Sequence, residues 1–283
     1  MKRTLVTGGT GFIGQNLVER LIKDGEKPVV IRRPASDHSI LQHLAGNFDY
    51  WTYDGSYQSL EACFSKWDFE TVYHLAAHSV PNHKAEQVDD IIESNITFGV
   101  KLAEAMTASG VKKFINIATS WQYYHSTTYR PLNLYASTKM AFEDVLAYYA
   151  DARGLQVASV ILFDTYGSND RRAKLWPLLL SKKNDCTPIE LSPGEQLTDL
   201  THVDHIVDAL LKTGRLLDRS VENFKRYIAA TGKPERLKDA VENFCKVNGL
   251  QPTLLWGAKE YRDREVFEIN IYEQFDNLLD TPK

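Results

Sequence analysis

Short β-branched and apolar runs alternate with longer stretches of helical period through the first two-thirds of the chain. Residues 4–6, 28–31, 50–53, 71–74, 114–117 and 157–162 read as buried strands. Between them, residues 16–23, 59–64, 93–109 and 135–152 carry apolar side chains three and four apart, and Gly154 stands where the last of these helices should stop. Strict strand–helix alternation calls for crossover connections and a parallel sheet, which is the α/β class. Past Gly167 the pattern changes, because Pro177, Pro188, Pro193, Gly194, Pro234 and Pro252 cut the chain into short pieces. Helical stretches remain there at 173–181, 203–217 and 235–248. The organisation this predicts is a large domain at 1–165 to which 203–232 returns, with 166–202 and 233–283 forming a smaller C-terminal substrate-binding lobe.

Composition narrows the function. Thirty-seven acids against 33 bases give a net charge of -4, so no basic surface is on offer to nucleic acid. Mean hydropathy is -0.34, and no apolar run approaches the ~18 residues of a membrane span. The chain reaches a glycine-rich turn after a single short strand, leaving no room for an export signal. Cysteines at 63, 186 and 245 show no paired spacing, so neither a disulfide framework nor zinc is expected, and a reducing cytoplasm fits.

That turn, Gly8-Gly9-Thr10-Gly11-Phe12-Ile13-Gly14, lies between the first strand and a helix. Glycines there permit a tight bend and close backbone approach, while free amides and the positive helix end receive a pyrophosphate. The strand–turn–helix context predicts a Rossmann-type doubly wound parallel sheet binding a nicotinamide dinucleotide. At the end of the second strand, where an NAD enzyme usually carries an acid, stand Arg32 and Arg33. A guanidinium binds the 2′-phosphate that a carboxylate would repel, so NADP is favoured over NAD. Asp54, after the third strand, is placed to accept from the adenine amino group.

Tyr135-Ala136-Ser137-Thr138-Lys139 sets a phenol and an ammonium one helical turn apart. A phenol needs a neighbouring cation before it exchanges protons near neutral pH. Upstream, Thr119 and Ser120 end another strand and offer a hydroxyl to a substrate oxygen.

Together, TGGTGFIG, His74-Leu75-Ala76-Ala77, Asn95 within SNITFG, ATS at 118–120 and YASTK resemble the extended short-chain dehydrogenase/reductase (NAD-dependent epimerase/dehydratase) family from residue 3 to about 232. FDTYG at 163–167 and DLTHVDH at 199–205 are similar to the substrate-side motifs of its nucleotide-sugar branch. Within it, the segments around 118–139 and 191–199 look most like 4-keto-6-deoxyhexose reductases of the CDP-abequose and CDP-paratose synthase type. The resemblance implies Thr119 as the triad hydroxyl with Ser120 as alternate, Tyr135 as proton donor, and Lys139 on the nicotinamide ribose. It further implies cofactor contacts from Gly55, Leu75, Ala76, Ala77, Asn95, Phe163 and Thr165. His78, Ser120, Trp121 and Asp164 would face the sugar nucleotide, with Arg171, Arg172 and Arg262 as cations for its diphosphate. Dehydratases of the family carry an acidic pair after the triad threonine, where this chain has Ser120 and Trp121, so elimination is disfavoured. Two other positions depart from the pattern: the usual asparagine is Asp164 and the usual arginine is Thr198.

The expected activity is NADPH-dependent reduction of a nucleotide-activated 4-keto-6-deoxyhexose by a homodimer joined through helices 94–109 and 135–152. An NAD-retaining sugar epimerase and a non-catalytic NADP-binding regulator are the alternatives. His202, Asp204, His205 and Asp208 could be drawn as metal ligands, but Thr201 and Asp204 read more simply as helix-start residues, and no metal site is expected.

Overall fold

The computed structural model describes residues 2–184 and 187–279. The first half runs β1 (Arg3–Thr7), α1 (Phe12–Lys23), β2 (Val29–Arg32), β3 (Asp49–Thr52), α2 (Tyr57–Lys66), β4 (Phe69–His74), α3 (Val88–Ile92), a π-helical turn (Glu93–Thr97), α4 (Phe98–Ser109), β5 (Lys113–Thr119), α5 (Leu134–Arg153) and β6 (Gln156–Leu162). There follow β7 (Asp164–Tyr166), α6 (Leu175–Ser181), β8 (Ile189–Leu191), β9 (Leu197–Thr198), β10 (Leu200–His202), α7 (Val203–Leu217), β11 (Phe224–Ala229), β12 (Glu235–Arg236), α8 (Leu237–Val247), β13 (Leu254–Trp256) and β14 (Asp276–Asn277). Cys63 and Cys245 are buried free thiols, and Cys186 lies outside the described residues.

Eight parallel strands form the main sheet in the order β14-β11-β6-β5-β4-β1-β2-β3. The order reverses beside β1, and a doubly wound sheet opens its ligand crevice at the carboxyl ends of the strands flanking such a reversal. The strands are apolar on both faces because helices cover both. Leu17, Val18 and Leu21 of α1 pack with Ile206, Val207 and Leu210 of α7 on one side. Leu60 and Phe64 of α2, Leu102 and Met106 of α4, and Phe142 and Leu146 of α5 fill the other. Each such side chain contributes about 1.5–3 kcal/mol on burial. His74 is part of that core: its ring packs against Phe98, Phe114 and Phe142, and Nδ1 lies 2.9 Å from Thr7 Oγ1.

A smaller core under α6 and α8, with Trp176, Leu179, Ile189, Val241 and Phe244, supports the lobe beside the crevice. The end of the chain departs from the expected lobe. Ile271, Tyr272 and Phe275 pack on Ala118, Met140 and Ile228, and β14 then pairs with β11 at the edge of the main sheet. The helix expected over 93–109 is also interrupted, since the π turn precedes α4. At the start of α7, His202 provides the cap, its ring accepting from the amide of Asp204, which stands in the first turn. No helix among the described residues is long and apolar enough to cross a membrane.

Candidate active site

β1 ends at Thr7 and the chain turns at once into α1. Gly8 takes φ +68, and a Cβ there would stand 2.6 Å from the amide nitrogen of Ala76. A Cβ on Gly14 would stand 2.1 Å from the Gly8 carbonyl oxygen, so the first turn of α1 presses directly on the strand end. The Gly11 amide donates to Gly8 O at 2.9 Å. Gly11 is also the N-cap of α1 and has no side chain to satisfy the first-turn amides. Those amides, at the positive end of a twelve-residue helix, form a seat for an anion.

Gly8, Gly11, Phe12, Ile13 and Gly14 line a cavity of about 470 Å3 together with Leu75, Ala77, Thr119, Ser120, Trp121, Tyr135, Lys139, Phe163 and Thr165. The crevice thus collects the ends of β1, β4, β5 and β6 and the start of α5. Thr10 and Ala76 stand beside it without lining it; the Ala76 amide donates to Thr7 Oγ1 at 3.2 Å.

Asn133 caps α5 by accepting from the Ala136 amide at 2.9 Å, which sets Tyr135 in the first turn and Lys139 in the second. The Trp121 ring meets the Tyr135 ring edge-on at 6.3 Å. Thr119 Oγ1 accepts from the Trp121 amide at 3.3 Å, which leaves its own hydrogen for a substrate oxygen. Burial pushes the Tyr135 phenol up to about 12, against a hydrogen bond from Ser79 that favours ionisation. Burial also pushes the Lys139 ammonium down to about 8, against the pull of the Glu143 carboxylate. Lys139 is 1% exposed, yet its ammonium has no hydrogen-bond acceptor among the described residues. An ammonium buried with all donors unspent, across a cavity from an uncapped helix end, fits a ligand bearing hydroxyls and a diphosphate. A nicotinamide dinucleotide has both.

At the far end of the expected cofactor site the surface is open. The Arg32 guanidinium lies 4.2 Å from the Tyr50 ring centre, with Nε on Thr52 Oγ1 at 3.1 Å, and Arg33 is exposed. Asp54 forms a turn through one oxygen: Oδ1 accepts from the amide and hydroxyl of Ser56, and these bonds hold its carboxyl below the usual range. Gly55 presents its carbonyl to Tyr53 and Lys101.

Asn95 is a correction. It is fully buried, does not line the cavity, and joins the chain at His78 to α5: Oδ1 accepts from His78 N at 2.7 Å, and Nδ2 donates to His78 O and Thr138 Oγ1. The π turn carries it to these partners. His78 is pinned by its backbone and lines none of the described cavities.

Toward the lobe a second cavity of about 260 Å3 shares Ser120, Trp121, Phe163, Asp164, Thr165 and Lys174 with the first. Arg262 lines it, 5.8 Å from the Trp121 ring centre and paired with the buried Glu265. Asp164 accepts from Thr198 Oγ1 at 2.8 Å, so the two positions that depart from the family pattern bond to each other. Arg172 is clamped by both oxygens of Asp170 and lies over the Phe12 ring at 4.3 Å, on the cofactor side. Arg171 is exposed and lines none of the described cavities, so of the expected cations Arg262 alone enters the lobe cavity. Among the described residues no three His, Cys, Asp or Glu side chains gather as metal ligands.

Sequence reasoning passed over Ser79, Gln122, Glu143, Lys174 and Arg226. Lys174 lines both cavities, and like-charged Arg172 and Arg262 add to burial in lowering its pKa. Glu143 had a legible signal: it repeats the four-residue spacing from Tyr135 to Lys139, on a helix face otherwise holding Phe142 and Leu146.

Residues 4–225 match the NAD dependent epimerase/dehydratase family. A CDP-abequose synthase from Yersinia pseudotuberculosis is 29% identical over 93% of this chain and 90% of that protein. A UDP-glucose 4-epimerase from Mycolicibacterium smegmatis is 27% identical over 75% of this chain and 73% of its own length. The solved structure of MoeE5 in complex with UDP-glucose and NAD superposes with a TM-score of 0.78 at 28% identity, covering 93% of this chain and 87% of that one.

Proposed function

This chain belongs to the NAD dependent epimerase/dehydratase family, and from that premise we propose that it is an NADPH-dependent reductase of a nucleotide-activated 4-keto-6-deoxyhexose carrying CDP or dTDP. The observation that carries the reading is the single cavity in which the glycine turn, Thr119, Tyr135 and Lys139 meet and which continues into the lobe. A nicotinamide held by the glycine turn and Lys139 would supply the hydride for the keto carbon. Thr119 donates its hydroxyl hydrogen to the keto oxygen and orients it. Tyr135 donates the phenolic proton to that oxygen as charge develops, and burial keeps the phenol protonated for the purpose at neutral pH. Lys139 holds the nicotinamide ribose and supplies the positive charge that eases the phenol's ionisation. Among the described residues Asp164 is the carboxylate that lines the first cavity, and its Oδ2 accepts from Thr198.

Arg32 supports NADP, because its guanidinium keeps terminal nitrogens for a 2′-phosphate while Tyr50 and Thr52 fix its plane. The match to a CDP-abequose synthase along nearly the whole chain supports the sugar class. The relative that is a UDP-glucose 4-epimerase supports a second reading, an epimerase that retains its cofactor. Supplying NADPH with a CDP- or dTDP-4-keto-6-deoxyhexose separates them: a reductase consumes added NADPH mole for mole, and an epimerase leaves it untouched. We place a homodimer seam on α4 and α5, where Tyr148 is exposed. Light scattering of a monomer at micromolar concentration would contradict it.

A further inference from the structure

Three side chains from three elements converge behind the triad, and the chemistry above uses none of them. Glu143, on α5 one turn beyond Lys139, is fully buried. Its Oε1 accepts from Arg226 Nε of β11 at 3.2 Å, and its Oε2 accepts from Gln122 Nε2 at 2.5 Å. Gln122, also fully buried, accepts the backbone N–H of Thr119 at 2.9 Å through Oε1. Met140 Sδ closes the arrangement, 3.7 Å from both Gln122 Nε2 and Arg226 Nη2. A carboxylate without exposure is costly, and a neutral amide of the same shape would fill this space more cheaply. Its charge therefore has to act on something.

We infer that Glu143 is a positioning residue of the site: its charge holds the Lys139 ammonium protonated, and its bond to Gln122 fixes the peptide that presents Thr119. One buried group is thereby tied to the carriers of all three triad residues. The inference rests on the proposed cofactor site, but cofactor binding tests it without any sugar.

The titratable and charged groups around the pair are few. From α5 comes Tyr135, pushed up to about 12; from β4 comes His74, held neutral well below its usual value by burial and by Lys139. The loop after β5 gives Tyr123, also pushed up to about 12, and β11 gives Arg226. The two phenols are pushed above and the imidazole below the range of pH 7 to 10, so a binding midpoint in that range reports Lys139.

The experiment measures the dissociation constant of NADPH from pH 6.5 to 10 by fluorescence. Wild type should lose affinity with a midpoint near the Lys139 value of about 8. Glu143→Gln removes the charge and keeps the shape, and should move the midpoint down by about one unit, weakening binding roughly fivefold at pH 8 and approaching tenfold above pH 9. Arg226→Gln leaves the carboxylate unopposed and should move it up. Gln122→Leu should leave the midpoint in place and lower turnover alone. A purely structural network would weaken all three proteins without opposite displacements. Midpoints of Glu143→Gln and Arg226→Gln that coincide with wild type overturn the inference; if Glu143→Gln does not fold, an unmoved or lowered midpoint in Arg226→Gln does so. Absence of any NADPH binding by wild type would instead overturn the cofactor assignment.

Discussion

Replacing Lys139 by Met should make the ligand-free protein more stable while abolishing its chemistry. Met has nearly the same length as Lys, so the change removes a charge and little volume. No hydrogen bond is lost within the protein, since the ammonium has no acceptor among the described residues. Burial brings the Lys139 value from 10.5 to about 8, with the Glu143 attraction already included. A depression of ~2.5 units corresponds to about 3 kcal/mol of cost for keeping the charge folded. The unfolded chain binds this proton more tightly between pH 8 and 10.5, so wild-type stability rises across that window and carries the full penalty below it. Thermal melting should therefore place Lys139→Met roughly 5 °C above wild type at pH 7. The gap should close as pH approaches 10. NADPH, which should raise the melting temperature of wild type, should leave the variant where it was. A variant that melts below wild type at pH 7, by a margin insensitive to pH, would refute the reasoning.

Tyr135→Phe keeps the ring against Trp121 and removes the proton, so turnover should fall by about 10² to 10⁴ with NADPH affinity retained, as steady-state kinetics and fluorescence titration would show. Arg32→Asp should cut kcat/KM for NADPH by about one to two orders of magnitude and spare NADH; an unchanged ratio would remove Arg32 from the cofactor. Gly14→Ala sets a Cβ against the Gly8 carbonyl and should force α1 off the strand end, lowering both the melting temperature and dinucleotide affinity; wild-type affinity by titration would contradict the tight turn.

What the chain discloses about itself follows the range of the interactions. β1, the glycine turn and α1 were legible because strand, bend and helix are encoded in one short continuous segment, although α1 begins at Phe12, inside the motif, rather than at residue 16. Tyr135 and Lys139 were legible because helical geometry puts them on one face. The π turn was not: it exists because Asn95 reaches Thr138 and the backbone of His78, partners 43 and 17 residues away. For the same reason Asn95 was read as a cofactor ligand when its amide is spent on the protein. β14 is two residues long, too short for any alternation, and forms only because Ile271 is buried and Phe275 packs on the same cluster ahead of it. Asp54 adds a purely local bond, its Oδ1 to Ser56, beside the ligand role assigned to its carboxylate. Glu143, Gln122 and Arg226 come from separate elements, and nothing local announces that they meet.

The central claim is that hydride leaves this site on a sugar and does not return. NADPH carrying deuterium at the transferable position of nicotinamide C4, incubated with the protein and a CDP- or dTDP-4-keto-6-deoxyhexose, tests it directly by mass spectrometry of the products. The account predicts one deuterium on the sugar, retained on carbon, with one NADP released for each sugar reduced. A sugar that changes configuration without gaining deuterium, while the added NADPH stays reduced, would contradict it.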